Sequence, residues 1–299
     1  MRKLLAKVIG PGALLFPVWA YAVFFFVIPV AIIFYYSFGY KPDLFTPVAT
    51  DALSLDQYQA AMSGTIFSTF LSTLEISITG TLACLAISVP FAYWLAVKVS
   101  PKRRNFLLAL VLVPYWTNFL VRTLGWQITL SPQGYLSNFL QTIGLREGPL
   151  DVLYTALAVQ IGVIYNYLPL MILPLFVAMD AAGKDLRDAS YDLGAGKWST
   201  FFRVTMPLAM PGVISGCLLV FVPLNGDYVT AAVLGGAEGT MIGQVIAIQF
   251  NTAQDWALGS AMAVTLMLTT AIVVAIAGLI FWAGRKIYER LTRVDLELA

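Results

Sequence analysis

The sequence has no histidine, few charged residues and only two cysteines. Asp, Glu, Lys and Arg make up 11% of the 299 residues, whereas soluble domains carry about 25%. Without histidine, the chain lacks the side chain that titrates near neutral pH and the commonest metal ligand. Cys84 and Cys217 stand alone in apolar runs, so there is no disulfide framework or CxxC motif. We therefore expect no catalytic residues, no metal and no cofactor.

The net charge is also small. A value of +2 does not suit the dense positive surface that nucleic-acid binding requires, and no nucleic-acid partner is expected. What the chain has in abundance is apolar residues, which make up 59% of it and give a mean hydropathy of +0.81. The composition indicates an integral membrane protein.

Several apolar segments are long enough to cross a bilayer, which takes about 20 residues. Their length and their lack of polar–apolar alternation favour helices over barrel strands. The first run exceeds the length of a signal-peptide core and has no clear cleavage site, so we interpret it as a retained helix. We predict an all-α integral membrane protein with about six transmembrane helices, at residues 13–38, 65–97, 105–121, 152–179, from about 206 onward, and 257–283.

Basic residues predict the orientation. Cytoplasmic segments of membrane proteins are enriched in Lys and Arg. If both termini are cytoplasmic, all but three of the 18 basic residues lie on that side, the exceptions being Lys41, Arg122 and Arg146. The outer connections then contain two semi-apolar pieces, "YLSNFLQTIGL" and "MIGQVIAIQF", which are either short interfacial helices or plain loops.

One cytoplasmic connection, at about residues 180–206, is unusually long and charged. "KDLRDASYDLGAG" predicts a helix with Leu186, Ala189 and Leu193 on one face, ended by Gly194. "KWSTFFRVTM" predicts a second amphipathic piece, and Pro207 precedes the return to the bilayer. Such a helix–glycine–helix unit would fit a groove on a partner. The pattern alone also allows a solvated loop with incidental periodicity.

This connection resembles a signature of the permease subunits of bacterial binding-protein-dependent ABC importers. The signature reads E-A-A, three residues, G, nine residues, then I-x-L-P. Here Asp188-Ala189-Ser190 is followed at the same spacing by Gly194 and Pro207. The departures are conservative: Asp188 for Glu, Ser190 for Ala, Val204 for Ile and Met206 for Leu. Further stretches, such as "YNYLPLMILPLFVAM" and "PLNGDYVTAAVLGG", resemble the first permease of spermidine/putrescine importers and their relatives.

The resemblance implies a type I importer permease fold across the single domain 1–299, in the bacterial inner membrane. It implies two cytoplasmic ATPases, one of which docks on this loop, a second and distinct permease, and a periplasmic binding protein. Relatives carry polyamines, opines, phosphonates, other amines or iron complexes, and a polyamine is our expectation here. The sequence has no G-x-x-x-x-G-K-[ST] phosphate loop, so we expect ATP hydrolysis on separate subunits.

Three ionisable residues lie within or beside the predicted spans: Glu75, Arg122 and Asp227. Such groups are candidate functional sites, and counting residues back to the cytoplasmic edge places all three near the outer end of the bundle. Either Arg122 pairs with one of the carboxylates as a structural tie, or the group lines the solute pathway. In the second case Asp227 and Glu75, with the aromatic rings of Trp116 and Tyr228, would suit a cationic amine.

Three other functions remain as alternatives. An ion-coupled secondary transporter would normally show acidic residues near the bilayer midplane and an internal repeat, and neither is evident. A membrane-embedded enzyme would need a cluster of reactive groups. A channel is compatible with six spans, but neither it nor an enzyme needs a loop of this form.

Overall fold

The structure, a computed structural model, describes residues 11–291, and this part of the chain is almost entirely helical. Helix α1 consists of Pro11–Ala22, a widened turn at Val23–Val27, and Ile28–Tyr36. The remaining helices, in order, are α2 (Asp56–Ala61), α3 (Gly64–Val97), α4 (Pro101–Leu112), α5 (Phe119–Leu130), α6 (Tyr135–Thr142), α7 (Ala156–Ala181), α8 (Asp185–Asp192), α9 (Lys197–Asn225), α10 (Ile242–Asn251) and α11 (Trp256–Leu291).

Five of these helices are long and apolar enough to cross a membrane, and a sixth span results if one bent pair is counted as a single crossing. The five are α3, α7, α9 and the apolar stretches Phe16–Tyr36 of α1 and Trp256–Gly284 of α11. This agrees with the prediction of about six spans. The two semi-apolar pieces of the outer connections are indeed helical, as α6 and most of α10.

The prediction that residues 105–121 form one straight span was wrong. The chain instead bends by 90° between Pro101–Trp116 and Phe119–Thr142. Thr117 is extended, and the Asn118 side-chain oxygen accepts hydrogen bonds from Leu120 N at 2.8 Å and Val121 N at 3.4 Å. Because this Asn caps a new helix, the apolar run is divided in two.

The fifth span also begins earlier than predicted. Helix α9 starts at Lys197 rather than near Met206, so "KWSTFFRVTM" is its first part and not a separate helix. Pro207 cannot donate a hydrogen bond to Arg203. The turn before it is widened, and Met206 N bonds to Phe201 O, five residues back. A widened turn of this kind lets the helix pass the proline without a break.

The chain divides into two compact units. The first comprises residues 11–67 and 246–269 of the described chain. The loop that follows α1 is held at two points. Lys41 Nζ donates to Ala253 O at 2.6 Å, and Trp256 N donates to Pro47 O at 3.0 Å. The loop displays Phe45, which is 95% exposed.

The second unit, residues 68–245 and 270–291, contains the larger core. Its closest helix pair is α7 and α9, which meet at glycines. A Cβ added to Gly212 would come within 2.5 Å of both Pro174 O and Ala178 Cβ, and one added to Gly216 within 2.8 Å of Met171 Sδ. Small residues of this kind let membrane helices approach closely, so the two spans on either side of α8 are held firmly together.

Candidate functional site

The connection between α7 and α9 contains a short helix that ends in a well-formed glycine cap. Gly194 has φ +83°, a left-handed conformation that favours glycine. Its N–H donates to Tyr191 O at 2.9 Å, and Ala195 N donates to Ser190 O at 3.1 Å. These are the two bonds of a Schellman motif. The prediction of a helix ended by Gly194 is therefore confirmed, with α8 covering Asp185–Asp192.

Two contacts fix this helix to the ends of the neighbouring spans, and a third joins one of those spans to α3. The Arg187 side chain is buried, with Nη1 3.5 Å from Met179 O. The hydroxyls of Ser190 and Thr200 are hydrogen-bonded at 3.0 Å. The ring of Phe201, on the first part of α9, packs edge-on against Tyr93 of α3 at 5.0 Å. Because Arg187 attaches α8 to α7 and Ser190 attaches it to α9, movement of α8 would be passed to both spans.

The segment also carries large apolar side chains that are exposed. We call its four large side chains, Leu186, Leu193, Trp198 and Phe202, the loop surface; Leu193 is 89% exposed and Trp198 77%. The Trp198 and Phe202 rings stack at 6.1 Å. Leu186 and Leu193 lie between the spans α7 and α9, and Trp198 and Phe202 lie in the first turns of α9. Exposed apolar side chains outside the spans are typical of a protein-binding site. The sequence pattern predicted the shared face of Leu186 and Leu193, and both are indeed exposed.

The remaining signature residues are also accessible. Asp188 and Ala189 are exposed on α8, and Pro207 is exposed on α9. Asp188 lies in the first turn of α8, where a negative charge is favoured by the helix dipole. Its ion pair with Lys184, at 3.6 Å and well exposed, contributes little stability.

A tighter ion pair lies beside the segment. Arg104 Nη1 is 2.6 Å from Asp180 Oδ1, and its guanidinium carbon is 5.4 Å from the centre of the Phe176 ring. The pair joins the first turn of α4 to the last turn of α7, where α8 follows. It thus marks the end of the bundle from which the loop surface projects.

Asp227 lies at another polar site, in the turn after α9. It is 5% exposed, and its two carboxylate oxygens accept hydrogen bonds from Thr230 N at 2.9 Å and Thr230 Oγ1 at 2.6 Å. The Tyr167 hydroxyl also interacts electrostatically with this carboxylate. The contacts with Thr230 are therefore those of an N-cap for the short helical segment that starts at Val229 and includes the widened turn Ala231–Gly235.

The other three candidate pathway residues are more exposed than Asp227. Glu75 is exposed on α3, Trp116 is exposed at the bend after α4, and Tyr228 is exposed next to Asp227. Within residues 11–291, no described hydrogen bond or ion pair joins Glu75 or Trp116 to Asp227. The structure thus brings Tyr228 and Asp227 together but does not gather all four into one cluster.

Arg122 does not form the carboxylate tie that the sequence allowed. In the described part of the chain it makes no ion pair with Glu75 or Asp227. Its guanidinium carbon instead lies 5.3 Å from the centre of the Tyr115 ring and 5.5 Å from that of Phe119. These rings stand on either side of the bend at Thr117, and cation–π contacts with both of them favour the bent conformation.

Sequence reasoning missed the contacts that hold α8 in place. Arg187 of this helix is buried, although charged side chains are mostly exposed. The sequence contained one signal for this burial. Arg187 directly follows the exposed Leu186, so the two side chains lie on different sides of the helix. The Ser190–Thr200 hydrogen bond joins residues ten apart across a turn, and no helical period predicts such a pair.

Five membrane-length helices and one bent helix pair, with an exposed glycine-capped helix before α9, are the features of an ABC importer permease. Comparison with known proteins agrees. The profile of a family described as "binding-protein-dependent transport system inner membrane component" matches residues 88–294. Because the match covers most of the chain, this protein belongs to that family.

Curated relatives are similar over nearly their full length. The spermidine/putrescine transport system permease protein PotB of Escherichia coli (strain K12) is 40% identical over 244 residues, which cover 82% of this chain and 86% of that protein. PotB of Haemophilus influenzae is 34% identical over 280 residues, covering 94% and 95%. The chain is thus a multi-pass inner-membrane transporter subunit and not an enzyme.

Solved structures support the fold. A bacterial ABC transporter involved in the import of alginate contains a chain that aligns with a TM-score of 0.71 at 15% identity, covering 94% of this chain and 95% of that one. At this level of identity, the similarity establishes the importer permease fold but does not identify the transported solute.

Proposed function

We propose that this chain is one permease of a polyamine ABC importer, with spermidine or putrescine as the solute. The observation that carries the proposal is its 40% identity to a spermidine/putrescine permease over most of both chains. The whole chain, 1–299, acts as one permease domain. A second, distinct permease forms the other half of the pathway, and a periplasmic binding protein delivers the solute.

The segment at about 180–206 docks a cytoplasmic ATPase, and the equivalent segment of the second permease docks another. This assignment is supported by the loop surface and by the attachment of α8 to both α7 and α9. An ATPase that covers Leu186 and Leu193 would remove two large apolar side chains from water. ATPase closure would move α8, and the contacts at Arg187 and Ser190 would pass that movement to the spans.

For the pathway, Asp227 is the first candidate, with Tyr228, Trp116 and Glu75 beside the route. A polyamine is a flexible cation, and carboxylates and exposed aromatic faces both attract cations. Tyr228 and Trp116 have their rings exposed. Because Asp227 is buried and already bonded to Thr230, it would act by attracting positive charge toward the turn more than by direct contact.

Uptake of labelled spermidine tests this function. A strain that lacks the chain is complemented with the wild type, and accumulation is measured with and without excess putrescine. We expect uptake to return, to require ATP and to be inhibited by putrescine. If the complemented strain accumulates an opine, phosphonate or iron complex instead, the substrate assignment is wrong. If uptake follows an ion gradient and not ATP, a secondary transporter is the better account.

A further inference from the structure

A cavity of about 220 Å³ lies within the second unit, among α3, α4, α5 and α7. Its walls are largely apolar and include Ile87, Phe91, Val111, Leu168 and Ile172. Arg122 is the only charged residue among those that line it. Helices α3, α4 and α7 all belong to the membrane-spanning part, so the cavity is in the region that lipid surrounds.

Arg122 lacks a partner suited to a cation in such surroundings. Its Nε and Nη1 atoms are buried without a hydrogen-bond partner in the described structure, and the only groups over its guanidinium are the Tyr115 and Phe119 rings. The Asp227 carboxylate is bonded to Thr230. Arg122 as a whole is half-buried, and these buried atoms are two of its three guanidinium nitrogens. Because buried polar atoms without a hydrogen-bond partner are costly, the geometry points to an anionic ligand at this position.

The cavity has Arg122 on one wall and residues of α7 on another. Phe119, one turn before Arg122, packs edge-on against Tyr167 of α7 at 6.2 Å. Ile172 lies five residues further along the same helix, or about 8 Å, toward the Arg104–Asp180 pair. The site therefore combines one cationic side chain with an apolar wall that continues along α7 to Ile172.

We propose that this cavity binds an anionic phospholipid, with the phosphate on Arg122 and part of an acyl chain against Ile87, Phe91 and Ile172. A bilayer supplies this combination of one anionic group and an apolar chain. The planar guanidinium matches phosphate oxygens in a two-bond arrangement, and basic pockets between membrane helices are a known form of lipid site. The bound phosphate would neutralise Arg122 and hold the bend at Thr117 in place.

Native mass spectrometry of the complex purified from its own membrane tests the proposal. The complex is delipidated and then offered phosphatidylglycerol or phosphatidylcholine. Two variants address the two parts of the site: Arg122→Gln removes the charge, and Ile87→Trp fills the apolar part of the cavity while keeping Arg122. Arg146→Gln is the matched control, because Arg146 is exposed and does not line the cavity.

We expect the wild type and Arg146→Gln to retain phosphatidylglycerol in preference to phosphatidylcholine. Both cavity variants should lower that retention at least fivefold while the complex stays assembled. Equal retention by all four proteins would overturn the proposal. So would loss of the second permease from Arg122→Gln with unchanged lipid content, since the cavity would then be a contact between subunits. Loss in Arg122→Gln but not in Ile87→Trp would contradict the placement of the acyl chain.

Discussion

At Gly194 a single residue determines how α8 ends. Its φ of +83° costs a residue with a side chain about 1–2 kcal/mol, although a Cβ there would meet nothing within 4 Å. Any effect of a substitution must therefore come from the backbone or from a partner. Gly196, two residues further, has φ −74° and the same open surroundings, which makes it a matched control.

Replacing Gly194 with Val should uncouple the permease from its ATPase. The substitution strains the cap and changes the direction in which α8 leads into α9, while the spans remain unchanged. We expect normal membrane insertion with loss of ATPase co-purification and of solute uptake, and near-normal behaviour for Gly196→Val. Normal uptake by Gly194→Val would contradict the docking assignment.

Asp227 allows its structural and electrostatic roles to be separated. Asp227→Asn keeps an oxygen that can accept from Thr230 but removes the negative charge, whereas Asp227→Ala removes both. If the charge attracts the solute, Asp227→Asn should lower uptake roughly tenfold, equivalent to about 1.4 kcal/mol, with thermal stability unchanged. Asp227→Ala should also unfold at a lower temperature, because a lost cap costs about 1 kcal/mol. Wild-type uptake in Asp227→Asn would leave the residue a purely structural role.

At the scale of elements, the close contact between α7 and α9 holds together the two spans that flank α8. Gly212 has no room for a side chain, because a Cβ would lie 2.5 Å from Pro174 O. Gly278, on the last span, is open on all sides. Both glycines lie in membrane-spanning helices, but only Gly212 is packed closely against a neighbouring helix.

Gly212→Val should separate α7 from α9 and destabilise the protein by about 1–3 kcal/mol, the usual range for overpacking. Gly278→Val should have little effect on stability. Thermal unfolding of the purified proteins in the same detergent measures both. Equal unfolding temperatures for the two variants would show that α7 and α9 do not depend on this close approach.

The elements differ in how far they could be predicted. Long apolar runs gave the number of spans, and Gly194 gave the end of α8, because both signals are local. The bend at Thr117 was missed, because an apolar run does not reveal that Asn118 will cap a new helix. The early start of α9 was missed because Pro207 is usually a sign of a helix start, and the widened turn before it depends on packing.

Sites formed by residues far apart in the sequence were harder to predict than the helices. The sequence placed Glu75, Arg122 and Asp227 at a similar depth, but depth along separate helices does not establish contact. Thr230 bonds to Asp227, and the rings of Tyr115 and Phe119 lie against Arg122, and all three are close in sequence to the groups they contact. These local partners take the place of the long-range ion pair that charge alone suggested.

At the scale of the whole molecule, the distribution of basic residues predicts which side of the membrane each loop occupies. Phe45 and Leu193 are both highly exposed, at 95% and 89%, and they lie in loops predicted to be on opposite sides. Cysteines at these positions would report the orientation, since the native Cys84 and Cys217 lie within spans.

In intact cells with a permeable outer membrane, a membrane-impermeant maleimide should label Phe45→Cys and not Leu193→Cys. After the inner membrane is opened, both should react. The unsubstituted protein is the control for labelling of the native cysteines. The reverse pattern would place the termini and the docking segment outside, where no cytoplasmic ATPase could reach them.

The central claim is that this chain works only as part of an importer assembled around the loop surface. Gentle affinity purification of the tagged chain from its native membrane, with the bound proteins identified by mass spectrometry, tests it most directly. We predict recovery of an ATPase, a second permease and a periplasmic binding protein that holds a polyamine, with the ATPase absent from the Gly194→Val sample. Recovery of the chain alone or as a homo-oligomer, with no ATPase, would contradict the account.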